Sequence, residues 1–369
     1  MASSNGFNPP PYPFDQLKVL TEVANRHEGG IVDLSIGVPY DKPPVFAINL
    51  LADAEAARLY PPANGTVLFR SAAAQWLNSL VGTNLSSDSV RATIGSKEFV
   101  ANLPHHLKLR TPDKSKVLYP SISYPTYAMG ATLAGCEPVA VPVDDSFKLD
   151  LSKIAQTDID QALCLWVNSP ANPTGAIEDL ESIVAWGREN NVLIVSDECY
   201  IEFVWNRKPD SALVYGTEGV LAVHSLSKRS NFAGLRSGFY AGDQELVNYL
   251  GEVRKHAGFM QPGPVLASAA SVFKDSEHVI EQRGIYLKRM NLLIDIFKSM
   301  GVESGLPEGA FYLWIKSPEG DGWDFANYLA EERGMLVSPG DFYGDNSENY
   351  VRVAAVQPDE VLALAAERG

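Results

Sequence analysis

Ala162-Leu-Cys-Leu-Trp-Val167, followed at once by Asn168-Ser-Pro-Ala-Asn-Pro-Thr-Gly175, decides the architecture of this chain. Six apolar residues without polar alternation describe a strand covered on both faces, and the two prolines and the glycine stop it in a sharp turn. Such a strand belongs inside a parallel sheet, where helices cover each side. Runs of the same character recur at Arg91 to Ile94, Val117 to Tyr119, Pro138 to Val143, Leu193 to Ser196, Val220 to Leu226 and Ser237 to Ala241. Helix-length segments separate them, whereas antiparallel hairpins need only short turns. The fold class is therefore α/β, with a large, doubly wound, mostly parallel sheet. Beyond about Gly251 the pattern changes to longer amphipathic stretches, notably Asp275 to Met300, with short strands expected at Gly309 to Ile315, Met335 to Val337 and Tyr350 to Ala354. That mixture predicts a smaller α+β domain. Residues 33–249 are expected to form the large domain, and residues 1–32 and 250–369 an N-terminal arm and the small domain. Asn8 to Pro13 should be extended, because each proline fixes its own φ and disfavours helix in the residue before it.

The 369 residues exceed the roughly 250–300 that one core organises, which fits two domains. Thirty Lys and Arg against 45 Asp and Glu leave a net charge of −15, so neither nucleic acid nor an anionic membrane is an expected partner. No run approaches the roughly 20 apolar residues of a membrane helix. Met1 to Asp15 lacks a basic segment leading into an apolar one, so no signal peptide is read there and a cytoplasmic location is expected. Cys136, Cys164 and Cys199 are odd in number and set among apolar neighbours, which fits reduced core thiols. The histidines at 27, 105, 106, 224, 256 and 278 show no metal-ligand spacing, and no metal is expected; His224 is expected in the core.

Several runs end in small or polar residues: Gly95-Ser96, Asn168, Asp197-Glu198 and Ser225-Leu226-Ser227-Lys228. Open parallel sheets bind ligands at the carboxyl ends of their strands, so these positions should converge on one crevice. Lys228, with Ser225 before it and Arg236 eight residues on, offers an amine, a hydroxyl and a guanidinium for one anion; the alternative is an exposed strand-end lysine. Asp197 leaves a buried run and needs a cation, or else caps the next helix. Asn172 is either aimed into the crevice by its prolines or part of a plain tight turn. Gly95, Ser96 and Lys97 open a helix, where free N–H groups suit a phosphate; an ordinary helix cap is the other reading.

Together, Asn-Pro-Thr-Gly at 172–175, Asp-x-x-Tyr at 197–200 and Ser-x-Ser-Lys at 225–228 with Arg236 resemble, in order and spacing, the class I/II aminotransferases, pyridoxal-phosphate enzymes of fold type I. The resemblance runs from about Leu34 to Arg352 and implies a seven-stranded large sheet. It implies that Lys228 forms the Schiff base, that Asp197 keeps the pyridine nitrogen protonated, and that Asn172 and Tyr200 bond the phenolic oxygen. It makes Tyr124 the ring-stacking aromatic, Tyr127 remaining a core residue. Gly95, Ser96, Lys97, Ser225 and Arg236 become phosphate ligands. Tyr60 matches a tyrosine that crosses to the neighbour's phosphate, which implies a homodimer with shared sites. Arg352 matches the clamp for the substrate α-carboxylate, with the Gly37 backbone lining the same pocket.

The implied reaction moves an amino group from an amino-acid donor to a 2-oxo acid, with 2-oxoglutarate and glutamate the expected acceptor pair. The short length and the wording around the motifs look most like N-succinyl-LL-2,6-diaminopimelate aminotransferases of lysine and diaminopimelate biosynthesis. Ala171 stands where the family often has asparagine, and Leu235 precedes Arg236; both positions bear on specificity. Aspartate or aromatic aminotransferases share the cofactor residues, as does a carbon–sulfur lyase of the same fold. A non-enzymatic cofactor-binding regulator would need a DNA-binding module, and no basic helix-turn-helix precedes residue 34. The distal end of the substrate has no assigned partner: Lys97 and Arg229 are conceivable, and Arg229 is expected on a helix surface, as isolated basic residues usually are.

Overall fold

The computed structural model describes residues 6–368, so the part of the N-terminal reading that falls on Met1 to Asn5 lies outside the described residues. In chain order the strands are β1 (Val32–Asp33), β2 (Val90–Thr93), β3 (Lys116–Pro120), β4 (Glu137–Val141), β5 (Ala162–Asn168), β6 (Ile194–Asp197), β7 (Val220–Ser225), β8 (Gly238–Gly242), β9 (Tyr312–Lys316), β10 (Met335–Leu336), β11 (Ser338–Pro339) and β12 (Tyr350–Ala354). Seven of them form one sheet in the order β2-β8-β7-β6-β5-β3-β4. Only β8 runs against its neighbours, so the sheet is mostly parallel, as the sequence predicts. Every residue of β5, β6, β7 and β8 is buried, the physical counterpart of their unbroken apolar runs. The edge strand β4 is mostly open to solvent.

From β5 the chain steps to β6 and β7 on one side, whereas from β3 it steps to β4 on the other. The order reverses between β3 and β5, and the crevice outside their carboxyl ends is where such sheets bind ligands. Register brings the relevant ends level, with Asn168 opposite Asp197 and Asp197 opposite Val223.

A second core joins Leu17, Leu20, Val32 and Leu34 to Leu293, Phe297, Leu313, Leu329 and Val351. It is built on the antiparallel sheet β11-β12-β9, the parallel pair β1-β10 and the long helix Glu277–Ser299. Three details depart from the sequence expectation. The run from Gly309 enters a strand only at Tyr312, because Gly309 N bonds Gly175 O (2.9 Å), Ala310 N bonds Phe203 O (2.8 Å) and Ala310 takes a positive φ of 58°. Its first residues are spent on the Asn168–Gly175 turn rather than on a ladder. The run Met335 to Val337 divides at Val337, with β10 pairing β1 and β11 pairing β12.

The third concerns the helix Gly263–Phe273, which lies beyond residue 249, where the sequence predicts the smaller domain, yet packs in the large-sheet core. Its Leu266, Ala269 and Phe273 meet Phe69, Ala72 and Trp76 of the helix Val67–Val81 and Phe239 of β8. Hydrophobicity alone does not say which of two cores a helix joins. Phe273→Ala should leave a cavity in the large-sheet core and cost about 3–5 kcal/mol, lowering the first thermal transition by roughly 10 °C. Scanning calorimetry checks this, and a shift below about 2 °C contradicts the assignment of the helix to that core.

Candidate active site

The crevice at the strand ends is a cavity of about 300 Å³. Ser96, Lys97, Tyr124, Asn172, Asp197, Tyr200, Ser225, Lys228, Arg236, Arg352 and Gly37 all line it, so most of the residues singled out in the sequence meet in one place. Gly95 lies directly behind Ser96 at the start of the helix Ser96–Arg110. Tyr60 stands apart, 93% exposed on the outer surface.

Asp197 ends β6 and is only 6% exposed. Tyr127 Oη donates to Oδ2 at 2.9 Å and the Cys199 backbone N–H to Oδ1 at 3.3 Å. Burial raises the carboxyl pKa against the pull of the Cys199 side chain, the Tyr127 hydroxyl and the Cys199 backbone. Among the described residues it pairs with no cation, so the arrangement suits a positively charged partner in the crevice.

Lys228 sits on a single helical turn, Leu226–Arg229, capped by Ser225, whose Oγ accepts from Ser227 N at 3.1 Å. Its Nζ donates to the carbonyl of Gly37. Burial, then the nearby charges of Arg352 and Arg236, push the amine down to about 8, so it yields its proton far more readily than an exposed lysine. A side chain at Gly37 would strike the Tyr312 hydroxyl, so glycine is what lets the backbone pass this close to that ring.

Gly95 takes φ +72° and ψ 159° as it turns from β2 into the helix. A Cβ there would collide with the guanidinium of Arg236. Arg236, itself at φ 52°, donates to Ala233 O at 2.9 Å and is held through its own carbonyl by Gln261 Nε2 at 2.8 Å. A helix start, two serine hydroxyls and a guanidinium thus face one small space, chemistry that suits a phosphate-sized dianion.

Arg352 on β12 is 3% exposed. It donates to Asn172 Oδ1 at 2.8 Å and to Ser35 O at 2.5 Å, lies over the rings of Tyr312 (4.3 Å) and Tyr343 (4.9 Å), and keeps a buried Nε without a partner among the described residues. The Tyr200 and Tyr312 hydroxyls share a hydrogen bond of 2.8 Å, and burial raises the Tyr200 phenol well above its usual range. Lys97 is exposed at the mouth, with Nζ 3.2 Å from Tyr12 Oη and 4.6 Å from that ring's centre.

Two sequence expectations need correction. Arg229 is not on a surface: it is 4% exposed and pairs with Glu202 at 2.6 Å, because the turn that sends Lys228 into the crevice sends its neighbour into the large-sheet core. Cys199 is more than a core thiol, since it lines the crevice with Sγ 3.3 Å from Ser96 Oγ; Cys136 and Cys164 are buried free thiols. The core position expected of Tyr127 agrees with its stacking on Trp166 at 5.1 Å, but its hydroxyl also serves Asp197. Tyr312 joins the site although no motif in the sequence marks it. His224 is in the core, 2% exposed against Phe239. Among the described residues no cluster of His, Cys, Asp or Glu could hold a metal, and no helix is long and apolar enough to cross a membrane.

Gly95→Ala should displace Arg236 and strain the helix start. Inorganic phosphate should then bind the cofactor-free protein about tenfold more weakly by calorimetric titration, the loss of one charge-assisted contact; unchanged affinity would mean the cradle is misassigned.

The chain matches the aminotransferase class I and II family over residues 29–368. It is 39% identical to the 4-dedimethylamino-4-oxo-anhydrotetracycline transaminase of Streptomyces rimosus, across 97% of this chain and 98% of that one. It is 34% identical to the LL-diaminopimelate aminotransferase of Aquifex aeolicus, across 97% and 96%. The solved structure of a probable N-succinyldiaminopimelate aminotransferase from Thermus thermophilus superposes with a TM-score of 0.87 at 31% identity, covering 96% of this chain and 98% of that one. A family match that runs through both cores, with relatives alike from end to end, makes this chain a class I and II aminotransferase, a fold type I enzyme that depends on pyridoxal phosphate.

Proposed function

We propose that the crevice would hold pyridoxal phosphate through Asp197 at its ring nitrogen, Gly95, Ser96, the backbone N–H of Lys97, Ser225 and Arg236 at its phosphate, Asn172 and Tyr200 at its phenolic oxygen, Tyr124 at its ring, and Lys228 at its aldehyde. The observation that carries this reading is the buried carboxylate of Asp197, which has neutral donors and, among the described residues, no cation. A protonated ring nitrogen is the partner such a group requires. Bound pyridoxal phosphate supplies an electron sink for the pair left behind when a proton leaves the substrate's Cα. Asp197 holds a proton on the ring nitrogen and so keeps that sink charged. Arg352, oriented by Asn172 and Ser35, clamps the α-carboxylate and fixes the direction of the Cα–H bond. Lys228, neutral above about pH 8, takes the Cα proton. The exposure of Tyr60 beside Leu59, with Val67 and Leu68 also open, supports a homodimer in which Tyr60 reaches the partner's site.

For the donor we propose N-succinyl-LL-2,6-diaminopimelate, with 2-oxoglutarate as acceptor, in lysine biosynthesis in the cytoplasm. Of the basic side chains lining the crevice, Lys228 and Arg352 serve the reacting end in this reading and Arg236 the phosphate. Lys97 is at the mouth and has no carboxylate partner among the described residues, so it is placed to meet a distal acid. The burial of Arg229 removes the other candidate. The Thermus thermophilus structure supports the same substrate class. A second reading, an aromatic or ring-bearing donor, is favoured by the apolar mouth of Tyr12, Phe14, Ile36 and Val38 and by the likeness to the tetracycline-pathway transaminase.

Protein loaded with pyridoxal phosphate should lose its visible absorbance on mixing with the succinylated donor alone and regain it with 2-oxoglutarate. Faster loss with phenylalanine favours the second reading, faster loss with aspartate points to an aspartate aminotransferase, and pyruvate released from cystathionine would indicate a lyase. Lys97→Met should raise KM for an acidic donor about tenfold and leave phenylalanine little affected. Asp197→Ala should abolish turnover in a folded protein; wild-type turnover rejects the ring-nitrogen role. Because the Lys228 amine must be neutral to accept a proton, kcat should climb from about pH 6.5 to about 9 with a midpoint near 8, and a flat profile contradicts its role as base.

A further inference from the structure

Lys228 and Arg229 are neighbours on one short turn, and successive helical residues project about 100° apart. The lysine enters the crevice, while the guanidinium of Arg229 passes the other way, against the rings of Trp76 (5.3 Å) and Phe273 (5.7 Å). There it is held on several sides, by the charge of Glu202 and by hydrogen bonds to three oxygens. Nε lies 2.6 Å from Glu202 Oε2, Nη1 donates to Val272 O at 2.8 Å and to Ser230 Oγ at 3.2 Å, and Nη2 donates to Asp275 O at 3.1 Å. Val272 is in the last turn of the helix Gly263–Phe273 and Asp275 is two residues beyond it. Ser230 is in turn held by His278 Nε2 at 2.9 Å, and His278 by Asp275 at 2.5 Å. Glu202, at 11% side-chain exposure, follows Tyr200 by two residues on the segment that begins at Asp197.

The pair therefore joins the segment carrying Asp197 and Tyr200 to the turn carrying Lys228, and anchors both to one helix end. A buried ion pair is seldom better for stability than apolar residues of the same volume, so what this one contributes is direction. Only a planar fork reaches a carboxylate and two separate carbonyls at once; an ammonium is a point charge. We propose that Arg229 and Glu202 are a positioning pair that sets the placement of the Lys228 amine relative to the Asp197 carboxylate. The inference rests on the reading of Lys228 and Asp197 given above.

The test uses holoenzyme carrying Arg229→Lys, and Arg229→Met combined with Glu202→Leu, which removes both charges and refills the volume. In the double variant the thermal midpoint should stay near wild type, while kcat falls about tenfold or more with KM within about twofold. The pH midpoint of the bound cofactor's visible absorbance should also move by about half a unit or more, a change that a purely structural role would not produce. Arg229→Lys should show a smaller fall in kcat and a shift in the same direction. Wild-type kcat and pH midpoint in either folded variant overturn the inference. If the double variant does not fold, Arg229→Lys alone decides by the same two readouts. The underlying reading fails separately: Lys228→Ala with wild-type turnover and absorbance would refute it whatever the Arg229 variants do.

Discussion

The side-chain amide of Asn168 bonds the carbonyl of Asp197 at 2.9 Å, and on that link the rest of the site depends. It ties the last residues of β5 and β6 level with each other. Its oxygen accepts the N–H of Asn172 at 2.8 Å, and the Asn172 side chain in turn accepts from Arg352. One buried asparagine thus fixes the end of the parallel sheet and, through a second, a guanidinium on the smaller sheet. Gly309 N bonding Gly175 O closes the same turn from the far side. Because all of these groups are buried, each must find its partner, and the network has few alternative arrangements.

Electrostatically the crevice is left unbalanced. Among the described residues Asp197 lacks a cation and one nitrogen of Arg352 has no partner, while Lys228 is pushed toward neutrality by burial and by Arg352 and Arg236. In a closed core such groups would be destabilising. Under the function proposed above, each deficit would meet a part of the cofactor or substrate: a ring nitrogen, a carbonyl carbon and a carboxylate. The large sheet tolerates this because its four central strands are buried throughout, and the deficits are confined to residues at or beyond their ends.

Much of this arrangement is legible in the amino-acid chain alone. Unbroken apolar runs with helix-length separations have few solutions other than a covered parallel sheet, and Asn-Pro-Thr-Gly, Asp-x-x-Tyr and Ser-x-Ser-Lys mark where three of the strands stop. Less local facts are hidden there. Arg229 looks like any exposed basic residue, because nothing in its neighbours announces Glu202, Trp76 and two helix-end carbonyls. Tyr127 reads as core, which it is, while its hydroxyl depends on a contact seventy residues away.

The amino-acid sequence by itself determined the strand pattern and the residues gathered at the strand ends, since these follow from periodicity and short-range chemistry, and the resemblance of its motifs pointed to the family. Only the tertiary structure decided which core the helix Gly263–Phe273 joins, why β9 starts late, and which way Arg229 points. Those outcomes depend on which distant surfaces and unpaired backbone groups lie within a few ångströms, and sequence separation carries no measure of that distance.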